Sequence, residues 1–329
     1  MAFAAYRLKP FSVCSHPIER YAHDMAKTFE FDTRRAIRAA MALRSYETDT
    51  VRLTDTDIAD HDWLVATHRG LYAVNLTGAK RIIYGWFFGI CRNGQDVYLF
   101  ENCAMRDRTR ALGRVIKMTI SSGNLSEPVV LIKGLAANCH QIEVIDGLLC
   151  VVDTANQSIL RYTLNGSLID TKKPFPIAPA SDRKGAYLHI NSIAKTGDRI
   201  ALMLHNGPAL PEKCSELAWL DAGWKLTDRV SLNGYCCHDI VEDENGVLWH
   251  SASSTGELMA NDGRRIKITS DRMTRGIALS IDTMIVGLSS FGARQNRDAL
   301  PGAVVILDRA LNKLAEFELG GPPADIVAI

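Results

Sequence analysis

Residues 138–170, NCHQIEVIDGLLCVVDTANQSILRYTLNGSLID, hold four short β-segments in a row. Three cover 140–144, 148–153 and 158–163, and a weaker fourth starts near Ser167. Asp146-Gly147 separates the first two, and Asn165-Gly166 separates the last two. Both dipeptides supply the positive φ that a two-residue hairpin turn demands. A four-stranded antiparallel meander of about 40 residues is one blade of a β-propeller, provided that the unit repeats.

It does repeat. Residues 236–269, CCHDIVEDENGVLWHSASSTGELMANDGRRIKIT, have the same opening, the same glycine turn and a similar second strand. First and second strands recur in WFFGICRNGQDVYLFE (86–101), LHINSIAKTGDRIALML (188–204) and MTRGIALSIDTMIVGL (273–288). The C-terminal PPADIVAI (322–329) is a first strand with nothing after it. Its partners stand at the other end, in DWLVATHRGLYAVNLTGAKRIIYG (62–85), which supplies strands two to four. The expectation is an all-β, six-bladed propeller over residues 61–329, with the last strand closing the ring and leaving no open edge.

Residues 1–60 do not match the blades and are expected to form an N-terminal helical extension. Apolar positions from Ile18 to Leu43 recur at helical spacing, predicting one or two amphipathic helices packed on the ring. Three long insertions follow second strands, at 104–114, 206–216 and 290–302, and should all emerge on one face. The first carries four arginines.

Charge and composition remove several functions. A net charge of +1 and a pI near 7.6 give no general field for nucleic acid or an anionic membrane. No apolar run approaches the roughly 20 residues of a membrane span. The eight cysteines are scattered without a CxxC pair, and several fall inside strands as small buried hydrophobes. These features fit a reduced, cytoplasmic protein.

In a propeller, the start of each first strand and the end of each second strand meet at one mouth of the central channel. His140, His189 and His238 sit at or near such starts, on three consecutive blades. His140 and His238 align with each other, with Asn191, Arg275 and Phe88 in the matching slot. His189 lies two residues earlier and keeps the same side-chain parity. Second-strand ends add Glu101, Asp153 and His205, with His68 nearby. Convergent neutral imidazoles suit a transition metal such as iron, zinc, copper or manganese, with a position left open for substrate. The plainer alternative is histidines that bridge blades by hydrogen bonds to backbone carbonyls.

The phrase DTANQSILRYTLNG (153–166) resembles NHL repeats and the regucalcin–gluconolactonase type of six-bladed propeller. LHINSIA (188–194), HDIVEDENGVLWHSASSTGEL (238–258) and TRGIALSIDTMIVGLSSF (274–291) resemble an uncharacterised bacterial propeller family. The resemblance covers about residues 130–329 and implies the fold without a reaction. Gluconolactonase relatives bind calcium through Glu, Asn and Asp at channel positions, where this chain has histidines, which are poor calcium ligands.

Three functions stay open on this reading. The first is a metal-dependent enzyme acting on a small molecule. It would use His140, His189 and His238 as ligands, Arg275 as a clamp for an anionic substrate, and Glu101 or Asp239 as general base. The second is a metal-free lyase or cyclase with a channel histidine as acid–base group. The third is a scaffold that binds another protein on one face.

Overall fold

The structure, a computed structural model, describes residues 33–105, 107, 110–175, 187–207, 211–292, 297–298 and 300–329. Six antiparallel sheets stand around a central channel. Blades III (139–172), IV (190–231), V (237–267) and VI (272–319) are plain four-stranded meanders. Blade III, for example, runs Cys139–Ile145, Leu148–Asp153, Ser158–Thr163, Leu168–Lys172. Blade II places Phe87–Asn93 on the channel and extends its third strand with the short pair Asn124–Leu125. Blade I is the split one. The C-terminal Pro323–Ala328 is its channel strand and pairs with Trp63–Thr67, so both ends of the chain share one sheet. Each channel strand packs against the next around the ring, the last against the first, which closes the propeller as the repeat pattern predicts.

Middle strands such as Trp63–Thr67 and Gly70–Val74 are buried throughout. Six apolar clusters explain this, each wedged between two neighbouring blades. Leu64, Ile82 and Leu71 of blade I meet Phe87, Leu99 and Ile116 of blade II. Cys150 and Val152 of blade III meet Ile193, Leu202 and Leu204 of blade IV. Both faces of a blade are therefore interior, and alternation gives way to continuous apolar runs, as in fully covered sheets.

Among the described residues one helix, Thr33–Glu47, precedes the ring, and the part of the expected helical extension before residue 33 lies outside the described residues. Its C-terminal end is pinned to blade II. Arg114 Nη1 donates to the Ser45 carbonyl at 2.9 Å, and Nη2 donates to Ser45 Oγ and the Thr50 carbonyl at 2.8 Å. Just after the helix, Arg52–Leu53 adds an outermost strand to blade I.

Every channel strand breaks register near its start. The breaks fall between Pro323 and Asp325 (opposite Ala66/Thr67) and at Phe87/Ile90, Cys139/Ile142, Ile190/Ser192, His238/Val241 and Thr274/Ile277. A bulge frees backbone N–H groups, and here a side chain of the neighbouring blade accepts them. Asp325 accepts Ile90 N–H, Gln141 accepts Ile193 N–H, Ser192 Oγ accepts Asp239 N–H, and Asp239 accepts Gly276 N–H. The two remaining latch positions are Gly89 and Gly276. A Cβ on Gly89 would lie 2.6 Å from the Ile142 nitrogen, so the backbones meet there without an intermediary. Gly276 also has a φ of 82°, in the left-handed region. The residue after each latch is isoleucine in all six blades: Ile326, Ile90, Ile142, Ile193, Ile240 and Ile277.

Candidate functional site

The bulges divide the channel into two levels. Above them, at the mouth, rings form a continuous arc. Centroids are 5.3 Å apart for Trp86–His68, 4.7 Å for His68–Phe88, 5.7 Å for Phe88–His140 and 5.1 Å for His140–His189. The arc continues through His205, 4.6 Å from His189 and 6.2 Å from His238. The structure thus brings His140, His189 and His238 together at one mouth, and adds His205 and His68.

His140 and His238 are held identically. His140 Nδ1 lies 3.1 Å from the Asn138 carbonyl and 3.0 Å from Thr154 Oγ1. His238 Nδ1 lies 2.8 Å from the Cys236 carbonyl and 3.1 Å from Ser253 Oγ. Each ring therefore uses the carbonyl two residues back and a hydroxyl just past the second strand of its own blade. His189 Nδ1 points to the Gly207 carbonyl at 3.0 Å. A carbonyl can only accept, so all three networks assign the proton to Nδ1 and make Nε2 the lone-pair nitrogen. His189 takes a left-handed φ of 54°, a strained setting for a buried ring. Burial holds His140 and His238 well below the ordinary imidazole range, helped by neighbouring histidines and by Arg275. Both rings are neutral at physiological pH.

A cavity of about 70 Å³ opens beside this arc, walled by His68, Phe88, His140, Arg275, Arg297 and Asp298. Arg275 comes from the channel strand Arg272–Leu279, in the slot that holds His140 and His238 on their blades. Arg297 and Asp298 come from the long loop of blade VI, one of the three insertions expected on this face. Burial and the charge of Arg297 bring the Arg275 guanidinium down to about 10. Among the described residues no carboxylate lies within ion-pair reach of Arg275, and its buried Nε has no hydrogen-bond partner. Asp298 turns instead to His68, with Oδ1 3.2 Å from Nδ1.

The two carboxylates expected as bases sit elsewhere. Glu101 lies on the opposite side of its strand from the mouth-lining Asn102, because successive strand residues alternate. There its Oε2 accepts Arg114 Nε at 2.8 Å, inside the buried group that anchors the helix. Asp239 lies one level below the histidines and is occupied with Gly276. It belongs to the lower half of the channel, with Glu143 and Asp325. Burial raises all three carboxyls. The channel is thus polarised, cationic at the mouth and rich in carboxyls below.

The metal expectation meets a geometric limit. Two imidazoles on one tetrahedral ion, at a metal–nitrogen distance of about 2.1 Å, put their centroids roughly 5 Å apart. His140 and His189 satisfy this at 5.1 Å, but His140 and His238 are 6.4 Å apart. Among the described residues, no three His, Cys, Asp or Glu side chains form a metal-binding group.

The loop residues Arg297 and Asp298 escaped the sequence reading because an insertion has no period to align. Trp86 is read from the sequence only as the first residue of a strand, with no role at the mouth.

Comparison with known proteins agrees with the fold. No described protein family and no curated protein matches the sequence. Among solved structures, a chain of a nidogen–laminin complex overlaps with TM-score 0.58 at 12% identity, over 81% of this chain and 97% of that one. A Bacteroides caccae protein of unknown function overlaps at 0.55 and 11% identity, over 82% of this chain and 98% of that one. An inactive virginiamycin B lyase from Staphylococcus aureus, solved with quinupristin, overlaps at only 0.45 and 15% identity, over 73% and 77%, too low to bear on this chain. The chain is a six-bladed β-propeller. No helix among the described residues is long and apolar enough to cross a membrane.

Proposed function

We propose that the mouth is the active site of an enzyme that carries out acid–base chemistry on a small anionic molecule. The observation that carries this reading is Arg275, a cation set into the cavity wall with no carboxylate partner among the described residues. A desolvated charge without a counter-ion is unfavourable. A carboxylate or phosphate of the substrate supplies the missing partner, in the forked geometry that guanidinium prefers. His140 lines the same cavity with its proton fixed on Nδ1, so Nε2 accepts a proton from the bound molecule. Phe88 and Trp86 limit water on that side. In this reading the base is His140, with Glu101 and Asp239 committed to structure.

Thermal unfolding with inorganic phosphate or benzoate tests the clamp. A ligand that binds only the folded state raises the transition. Wild type should be stabilised and Arg275→Gln should not. Equal stabilisation of both proteins contradicts the reading.

A metal enzyme remains the second reading. All three rings carry the tautomer that a metal ligand needs, but His238 would have to turn to join the other two. Elemental analysis of protein purified without an affinity tag, with added iron, zinc, copper or manganese, separates the two readings. The likeness to NHL and gluconolactonase blades adds no reaction to either.

A further inference from the structure

We propose that His68, oriented by Asp298, is the general acid of the mouth and works against His140 as the base. This rests on the acid–base reading above and adds a second catalytic residue with its positioning partner. His68 follows the second strand of blade I, Trp63–Thr67, and lines the same cavity as Arg275 and His140. It is 8% exposed, and neither buried ring nitrogen makes an aligned hydrogen bond, so Asp298, 3.2 Å from Nδ1, acts on the ring as a nearby charge.

The mouth rings divide by what faces Nδ1. His140, His189 and His238 face carbonyls, whereas His68 faces a carboxylate at 3.2 Å. A carbonyl fixes a tautomer, but a carboxylate also stabilises the imidazolium. Burial lowers both imidazoles, but only His68 has a carboxylate beside it that favours the charged form, and this difference separates the acid from the base. Among the described residues, the charged groups facing His68 come from blade VI. Burial is the largest influence and lowers the ring below the ordinary imidazole range, Asp298 pushes it back up, and Arg275 and Arg297 add to the lowering. A bound anion on the two arginines removes their share of that lowering, so the charged fraction of His68 rises when substrate is present. Phe88 stands between the two rings, 4.7 Å from His68 and 5.7 Å from His140. A proton therefore passes through the substrate and not directly between them.

The chemistry that fits is elimination on a carboxylate-bearing molecule, in which the electrons of the broken C–H bond form the new double bond. His140 Nε2 removes a proton from carbon, the bond to the leaving atom breaks, and His68 Nε2–H protonates that atom. One proton is gained by His140 and one lost by His68. Exchange with water restores both, so no oxidant or other co-reactant is required.

The test is a pH titration of protein labelled with ¹⁵N-histidine, with the His68 resonances assigned from His68→Asn. In Asp298→Asn the His68 midpoint should fall by about one pH unit, and Asp298→Glu should restore it. Inorganic phosphate should raise the midpoint in wild type and leave Arg275→Gln unchanged. An unmoved midpoint in Asp298→Asn overturns the acid assignment, whatever phosphate does. A normal Asp298 dependence without any phosphate response overturns the anion clamp, and the acid then has no substrate to serve.

Discussion

Glu101 and Arg275 show how differently two charges in one ring behave. Arg114 and Glu101 are a buried pair, and removing one partner leaves the other stranded. Glu101→Ala should cost about 3–5 kcal/mol by urea unfolding. Arg275→Gln removes a buried charge that Asp239, Asp298 and Asp325 offset only from beyond ion-pair distance, so it should leave stability unchanged or raise it. A large loss in Arg275→Gln would mean that the guanidinium is structural. His250 allows a test of sign. Burial lowers its pKa to about 4, so the unfolded chain takes up the proton first as pH falls. Its contribution is complete above about 6.5 and drains below that value. Glu143, raised from 4.5 to about 7 by burial, acts in the opposite sense and weakens the fold as pH rises from about 4.5 to 7. The wild-type profile mixes both effects. The readout is therefore the difference: between pH 7 and 4.5 the urea midpoint should fall less in His250→Phe than in wild type. An identical fall in both removes His250 from the account.

The elements were largely legible in the sequence. The turn dipeptides and repeated second strands placed the blades, and the lone PADIVAI strand called for partners at the other end. Aligning blades also found His140 and His238, which prove to be held by the same pair of contacts. Glu101 was assigned to the mouth although its neighbour Asn102 lines it, a slip of one residue that reverses the face in a strand. The bulge latches were invisible because a period-two pattern has no place for an extra residue. They make a prediction of their own. Gln141→Ala leaves the buried Ile193 N–H without its acceptor and should cost about 1–3 kcal/mol. Gly89→Ala should cost more, since its Cβ would press on the Ile142 backbone. Urea unfolding of the two variants checks the order, and a harmless Gly89→Ala would deny the close approach.

At the scale of the whole molecule, one strand holds the ring shut. Deleting residues 322–329 removes the channel strand of blade I and takes Asp325 from Ile90. It should give insoluble or grossly destabilised protein, checked by expression and circular dichroism, and an unchanged melting transition would refute the closure. The closed ring also sets the functional polarity, with arginines and neutral histidines at one mouth and buried carboxyls below. Anions should therefore collect at the mouth before any substrate is known. The most direct measurement is anomalous diffraction from bromide-soaked crystals of wild type and Arg275→Gln. The account predicts a bromide between Arg275 and Arg297 in wild type that vanishes in the variant. A map with bromides on the outer surface and none at the mouth of the wild type would contradict it.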